Sequence, residues 1–296
     1  MKTPPRTSPL VTRLFVKHAG FLFILPGLLG FALFYLVPFA VSVGYSFVSR
    51  PVGGEFVGLG NYIDLLQSSA YRLGLRNTVL FMGMAVPIVM ALSLGAAMLV
   101  RNTGKLKPWF VLVFLVPLVV PSGSMVFFWR ILFSNDGALN GMLASLGLSG
   151  VNWLGSGYAR LALLVIFVWK NLGFNLVLFL AGLGSIPQEY YESARVDGAG
   201  ALQSLRWITL PCIIPTAVIV VLMSVVSSFR VFREVYLLLG AYPHESVYML
   251  QHFMNNNFFA LNYPRLTTAT TLLSIAMLLL TTGLLWTEKK VSHVQA

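Results

Sequence analysis

The chain has 296 residues, of which 57% are apolar and 10% charged, and its formal net charge is +11. Soluble domains average about 45–50% apolar and about 25% charged residues, so this composition excludes a water-soluble globular protein and describes an integral membrane protein. One cysteine, Cys212, excludes an intramolecular disulfide, and four scattered histidines offer no metal-ligand spacing.

In chain order, residues 1–19 form a basic tail carrying Lys2, Arg6, Arg13 and Lys17. The apolar run that follows, 21–47, is too long for a cleaved signal peptide and has no small-x-small cleavage site, so it reads as a signal anchor. Further apolar runs lie at 78–100, 109–133, 160–183, 212–236 and 267–287. Each approaches the roughly 20 residues that a helix needs to cross a bilayer core. The fold class expected is therefore all-α with six transmembrane helices. A β-barrel would instead show segments of about 10 residues with alternating polarity. Pro26, Pro38, Pro87, Pro117 and Pro121 fall inside the runs and predict kinks, which membrane helices tolerate. The fifth run is least regular at its outer end, where Arg230, Arg233 and Glu234 interrupt it.

More than half of the Lys and Arg residues fall before the first run, between the second and third (Arg101, Lys105, Lys107), between the fourth and fifth (Arg195, Arg206) and after the sixth (Lys289, Lys290). The positive-inside rule makes these regions cytoplasmic, with both termini inside and segments 48–77, 134–159 and 237–266 outside. The net charge then reflects topology and not a nucleic-acid footprint. No repeat or linker divides the chain, so residues 20–288 read as one transmembrane domain containing a cytoplasmic loop at 184–211, with a short cytoplasmic tail at 289–296.

That loop is the most informative segment. Pro187 suits the first position of a helix, and Gln188 to Arg195 continue it. Gly198 and Gly200 break it, since glycine permits positive φ and close backbone approach, and a new helix begins near Ala201. Pro211 marks where the fifth run starts. A short amphipathic helix presenting Tyr190, Tyr191, Ala194 and Val196 among charges suits either a partner's groove or the lipid headgroup layer.

The pattern Glu192-Ser193-Ala194, Asp197-Gly198, Gly200 and then Ile208-Thr209-Leu210-Pro211 resembles the E-A-A loop of ABC importer permeases that depend on a binding protein. Ser193 stands where that family most often has alanine. Arg76-Asn77-Thr78, Trp129-Arg130-Ile131-Leu132-Phe133, Asn152-Trp153-Leu154, Trp169-Lys170-Asn171-Leu172-Gly173-Phe174-Asn175 and Ile186-Pro187 are similar to the carbohydrate-importer, maltose-type branch, and the leading span to its first permease. The likeness covers roughly residues 20–287, without that system's extra N-terminal helices and large outer insertion. It implies a type I importer permease fold with a cytoplasmic coupling helix, in a bacterial cytoplasmic (inner) membrane. It implies as partners a second homologous permease, two ATPase subunits and an extracytoplasmic solute-binding protein. The chain has no G-x-x-x-x-G-K-[ST] loop, so it is not expected to be an enzyme or to bind a cofactor; ATP and Mg belong to the partner ATPase. The coupling residues so implied are Tyr190, Tyr191, Glu192, Ser193, Ala194, Asp197, Gly198, Gly200, Ile208, Leu210 and Pro211.

Candidate solute-path residues follow from polarity at membrane depth. Lys170 lies near the middle of the fourth run, where a lipid-facing charge costs about 2.5–3.5 kcal/mol. Asn171 and Asn175, four residues apart, share a face beside it. The cluster reads either as a polar wall for sugar hydroxyls or as a structural tie, with Lys170 on a backbone carbonyl. Arg230 and Glu234 have the spacing of a pair, and with Arg233 they suggest either an interfacial ion pair or a preference for an acidic sugar or a sugar or glycerol phosphate. Phe174 and Phe229 are candidates for stacking on sugar rings or for packing. The segment 242–263, too polar to span, either caps the cavity or receives the binding protein. An ion-coupled secondary transporter would normally show membrane carboxylates, and only Glu234 lies near that depth. An intramembrane enzyme lacks any catalytic or metal-ligand constellation.

Overall fold

The computed structural model describes residues 20–21 and 23–295. The basic tail expected over 1–19 lies outside the described residues. The described residues are mainly helical: α1 Phe23–Tyr45, α2 Gly60–Gln67, α3 Ser69–Arg101, α4 Lys107–Val119, α5 Ser122–Leu132, α6 Ala138–Ser145, α7 Ala159–Gly184, α8 Gln188–Val196, α9 Ala201–Leu239, α10 Leu250–Phe259 and α11 Tyr263–Gln295. Five of these, α1, α3, α7, α9 and the Tyr263–Thr287 part of α11, are long and apolar enough to cross a membrane. The segment expected as a separate C-terminal tail continues α11 as helix to Gln295.

The third expected span is not one continuous helix. Gly104–Val119 and Ser122–Leu132 are bent by 95° relative to each other, so the count of six is reached only when the bent pair is taken as one span. The cause is local. Pro121 disfavours helical backbone at the residue before it, and Val120 accordingly takes ψ 124°. Pro121 itself is extended at ψ 137°, and a new helix starts at Ser122. Of the two prolines expected to kink this run, Pro121 makes the break and Pro117 is absorbed within α4.

The fifth span is longer than the apolar run of 212–236. It begins at Ala201, opens into a π-turn over Leu205–Thr209, and continues through the charged residues to Leu239. Proline lacks the N–H that would close an α-turn and its ring crowds the preceding turn, so a widened turn just before Pro211 is where the strain is expected. A single turn residue, Val231, divides Leu210–Arg230 from Phe232–Leu239. Gly240, at φ +81°, ends the helix. Arg130 donates to the carbonyls of Leu237 (3.3 Å) and Leu238 (3.2 Å), satisfying groups left open in the last turn.

The bundle is centred on α7, which packs against α3, α4 and α9. Two glycines permit the close approach. A Cβ at Gly173 would lie 1.8 Å from the Phe114 carbonyl oxygen of α4, and one at Gly182 would lie 2.3 Å from Thr216 Oγ1 of α9. Ser93 Oγ donates to the Leu172 carbonyl across α3 and α7 at 3.1 Å. The core includes one apolar cluster around Phe81, Phe167 and Val235 and another around Phe179, Leu183 and Ile213. By contrast, the apolar stretch of α1 is unburied within the chain.

The segment from Tyr242 to Tyr263 is stapled to the ends of α3 and α7. Asn77 Nδ2 donates to the carbonyls of Glu245 (2.6 Å) and Tyr248 (2.9 Å), while Arg160 Nη2 donates to Asn77 Oδ1 (3.1 Å) and Arg160 Nε to the Ser246 carbonyl (3.2 Å). The Leu250 amide donates to Thr78 Oγ1 at 2.9 Å. Gly74 lets the Leu250 backbone approach, since an added Cβ would meet it at 3.1 Å.

Candidate functional site

Two regions hold the sequence-predicted residues. The first is the loop between α7 and α9. Pro187 precedes α8, whose last turn closes on a left-handed glycine: Gly198 has φ +79°, and the Ala199 amide donates to the Ala194 carbonyl at 2.8 Å. Gly200 precedes α9, and its amide donates to Gln203 Oε1 at 2.7 Å. Gly198 breaks the chain through the positive φ that glycine permits, whereas Gly200, expected to break it in the same way, is extended at φ −74° and ψ 171°, a conformation open to any residue.

Within α8, Tyr190, Glu192 and Ser193 are exposed, Ala194 is half-buried, and Asp197, Gly198 and Gly200 are exposed beyond it. Glu192 accepts from Gln188 Nε2 at 2.9 Å. Tyr191 points the other way. Its hydroxyl is 3.0 Å from Thr209 Oγ1, Arg101 stands over its ring at 5.3 Å, and it packs with Ile208 against the apolar cluster of Phe179, Leu183 and Ile213. Tyr191 is therefore a strut joining α8 to α3 and to the π-turn of α9, whereas Tyr190 is part of the open face. The outer face carries Val196 at 88% exposure, Leu202 at 77% and Trp207 at 71%. Arg206 lies over the Trp207 ring at 5.3 Å. Leu210 is exposed and Pro211 half-buried; both line an apolar groove with Met90, Leu94 and Phe179.

The second region is a cavity of about 440 Å³ beside the break between α4 and α5. Its wall includes Ser122, Lys170, Asn171, Ser227, Arg230, Arg233 and Glu234. The pairing expected between Arg230 and Glu234 is replaced by another. Glu234 Oε1 is in ion-pair contact with Lys170 Nζ and accepts from Ser122 Oγ at 3.0 Å, and Ser122 Oγ accepts from Lys170 Nζ at 2.9 Å. The turn at Val231 places Glu234 on the inner face of α9, where its side chain is only 5% exposed and Lys170's is 24%. Arg230 remains on the exposed side. Lys170 thus meets a carboxylate, not a backbone carbonyl. Breaking one partner of such a buried pair costs far more than forming it gains, so the triad fixes α5, α7 and α9 relative to one another.

The remaining candidates separate. Asn171 lines the cavity, donating from Nδ2 to the Phe167 carbonyl at 2.8 Å and leaving Oδ1 available. Asn175 is buried and donates to Ser224 Oγ at 2.8 Å, tying α7 to α9. Phe174 is exposed and Phe229 half-buried, and neither belongs to the cavity wall. Sequence reasoning missed Ser122, Thr209, Arg101, Leu202 and Trp207. A serine directly after a helix-breaking proline was the available signal for Ser122, and an exposed tryptophan beside arginine for Trp207.

Residues 79–291 match the family described as binding-protein-dependent transport system inner membrane component. The chain is 32% identical over 230 residues to the trehalose/maltose transport system permease protein MalF of Thermococcus litoralis, covering 76% of this chain and 78% of that one. It is also 32% identical over 233 residues to the arabinooligosaccharides transport system permease protein AraP of Bacillus subtilis, covering 75% and 72%. Among solved structures, it superimposes on a chain of a bacterial ABC transporter involved in import of the acidic polysaccharide alginate, with a TM-score of 0.82, 21% identity and coverage of 96% and 99%.

Proposed function

The chain belongs to the family of binding-protein-dependent transport system inner membrane components, and from that premise we propose that it is one permease subunit of an ATP-driven importer for a sugar or oligosaccharide. It is a multi-pass membrane protein of the ABC importer permease class. In the proposal it sits in the bacterial cytoplasmic membrane with both termini inside and forms half of the solute path with a second permease. Two ATPase subunits using ATP and Mg drive it, and an extracytoplasmic binding protein feeds it. The chain itself does no hydrolysis. The relatives' transport of trehalose, maltose and arabinooligosaccharides, as their names state it, supports a saccharide as solute.

The observation that carries the coupling role is the architecture of the 187–211 loop: an exposed face backed by an internal strut. Moving a two-state permease from 99:1 inward-facing to 1:99 takes about 5.5 kcal/mol. Exposed salt bridges contribute about 0–1 kcal/mol each, so Glu192 cannot transmit that change alone. A packed body can. Tyr190, Ala194, Val196 and the Gly198 turn would seat in the ATPase. The Tyr191–Thr209 hydrogen bond and the Arg101–Tyr191 contact would pass the displacement to α9 and α3.

Purification from cells expressing the native gene neighbourhood tests this. The parent is expected to bring a second permease and an ATPase. Gly198→Asp places a side chain where φ is +79° and adds a charge to the docking face, so it is expected to retain the permease and lose the ATPase. Retention of the ATPase by Gly198→Asp contradicts the docking assignment.

A further inference from the structure

The cavity beside the α4–α5 break carries an unbalanced charge. Its wall holds three cations, Lys170, Arg230 and Arg233, and one carboxylate, Glu234. That carboxylate is already committed, because Lys170 and Ser122 both engage its Oε1. Lys170 is thereby neutralised. Arg230 and Arg233 are left exposed within the chain, without an ion-pair partner among the described residues. Ser227, Arg230 and Glu234 all reach the cavity wall from α9, on either side of the turn at Val231, and Asn171 faces the same space with its Oδ1 available. A guanidinium presents a planar fork of donors that fits a carboxylate or a phosphate through two parallel hydrogen bonds. The cavity's volume, about 440 Å³, falls in the range of small-ligand sites.

From this charge balance we infer that the cavity receives the anionic group of an acidic saccharide, a carboxylate or a phosphate, with Arg230 and Arg233 as its counter-charges. Asn171 and Ser227 accept from or donate to the neighbouring hydroxyls. Glu234 serves the site indirectly, by cancelling Lys170 and holding the wall in shape. The inference deepens the importer reading above and rests on it for the solute's being a saccharide. An acidic residue of the second permease is the competing counter-charge, and the experiment separates the two.

Ser227→Cys is introduced into a Cys212→Ser chain, and the complex with its partner subunits is labelled in the resting and vanadate-trapped states. The probes are an anionic sulfonatoethyl and a cationic trimethylammonioethyl methanethiosulfonate. A cavity lined by one sign of charge enriches the opposite ion by about tenfold or more. The anionic-to-cationic rate ratio is therefore expected to exceed that of a free thiol by about that factor. It falls to the free-thiol value in Arg230→Gln/Arg233→Gln and persists in Arg230→Lys/Arg233→Lys. Glucuronate and glucose 6-phosphate slow labelling of the parent while glucose does not, and whichever protects better separates carboxylate from phosphate.

A free-thiol ratio in the parent, equal protection by glucose, or no labelling in either state overturns the inference. Loss of the second permease from the double glutamine complex also overturns it, assigning the arginines to an ion pair between subunits. Anionic bias and protection in the Ser227→Cys complex, with no saccharide uptake by the complex that keeps Ser227, contradict the importer reading and leave the anion site standing.

Discussion

Replacing Glu234 with glutamine removes the counter-charge of Lys170 while keeping nearly the same volume. The carboxylate is 5% exposed and the lysine 24%, so the ammonium left behind is only partly solvated and keeps only neutral partners, the Ser122 hydroxyl at 2.9 Å and the new amide oxygen. Breaking a buried pair costs about 3–5 kcal/mol, and the partial exposure of Lys170 puts this pair at the lower end, about 3 kcal/mol. At about 2–4 °C per kcal/mol for a chain of this size class, the purified complex should lose about 6–12 °C of thermal stability by gel filtration after heating. Lys170→Met, which strands the carboxylate, should cost at least as much. Lys170→Met/Glu234→Leu removes both charges and should recover most of the loss, because apolar replacement of a buried pair is often neutral or stabilising. Single losses below about 2 °C, or a double loss equal to the sum of the singles, would refute the assignment of the triad as the tie between α5, α7 and α9.

Gly173→Ala drives a Cβ toward the Phe114 carbonyl, 1.8 Å away, where only backbone can yield; overpacking of this kind costs about 1–3 kcal/mol, measurable by the same heating assay, whereas Gly283→Ala, with nothing within 4 Å, is expected to be neutral or slightly stabilising. Asn77→Ala strands the carbonyls of Glu245 and Tyr248 and the Arg160 guanidinium, so backbone amides of residues 244–259 should exchange faster by hydrogen-exchange mass spectrometry, by about the 1–3 kcal/mol cost of unsatisfied buried groups. Burial lowers the pKa of His252 in α10 from 6.5 to about 4. The unfolded chain therefore binds a proton at a pH where the folded chain does not, so this contribution to stability is full above pH 6.5 and is lost as pH falls toward 4, by roughly 3 kcal/mol over that window. His252→Phe should flatten that pH dependence of the heating assay, and an unchanged slope in the variant would sink the assignment.

The parts of this fold that depend on runs and local turns were legible in the sequence. The apolar runs locate the spanning helices, Pro187 and Gly198 bracket α8, and the glycine at 198 does take positive φ. Features that depend on distant partners were not. Arg230 and Glu234 have the spacing of a helical pair, but the turn at Val231 rolls Glu234 inward to a lysine 64 positions away. No periodicity records such a contact. Pro117 and Pro121 look alike as kinks in sequence, yet the backbone turns extended only before Pro121, at Val120, and the span breaks there. Tyr190 and Tyr191 are adjacent aromatics on a short amphipathic helix; which faces in was decided by Thr209 and Arg101, on two other elements.

The most direct measurement of the central claim is saccharide uptake into proteoliposomes containing this chain with its second permease and ATPases. The binding protein, loaded with the saccharide that it binds, is supplied outside and ATP inside. The account predicts uptake that requires both ATP and binding protein and that Gly198→Asp abolishes while the two permeases stay assembled. Uptake that proceeds without ATP, or that survives Gly198→Asp undiminished, would contradict it.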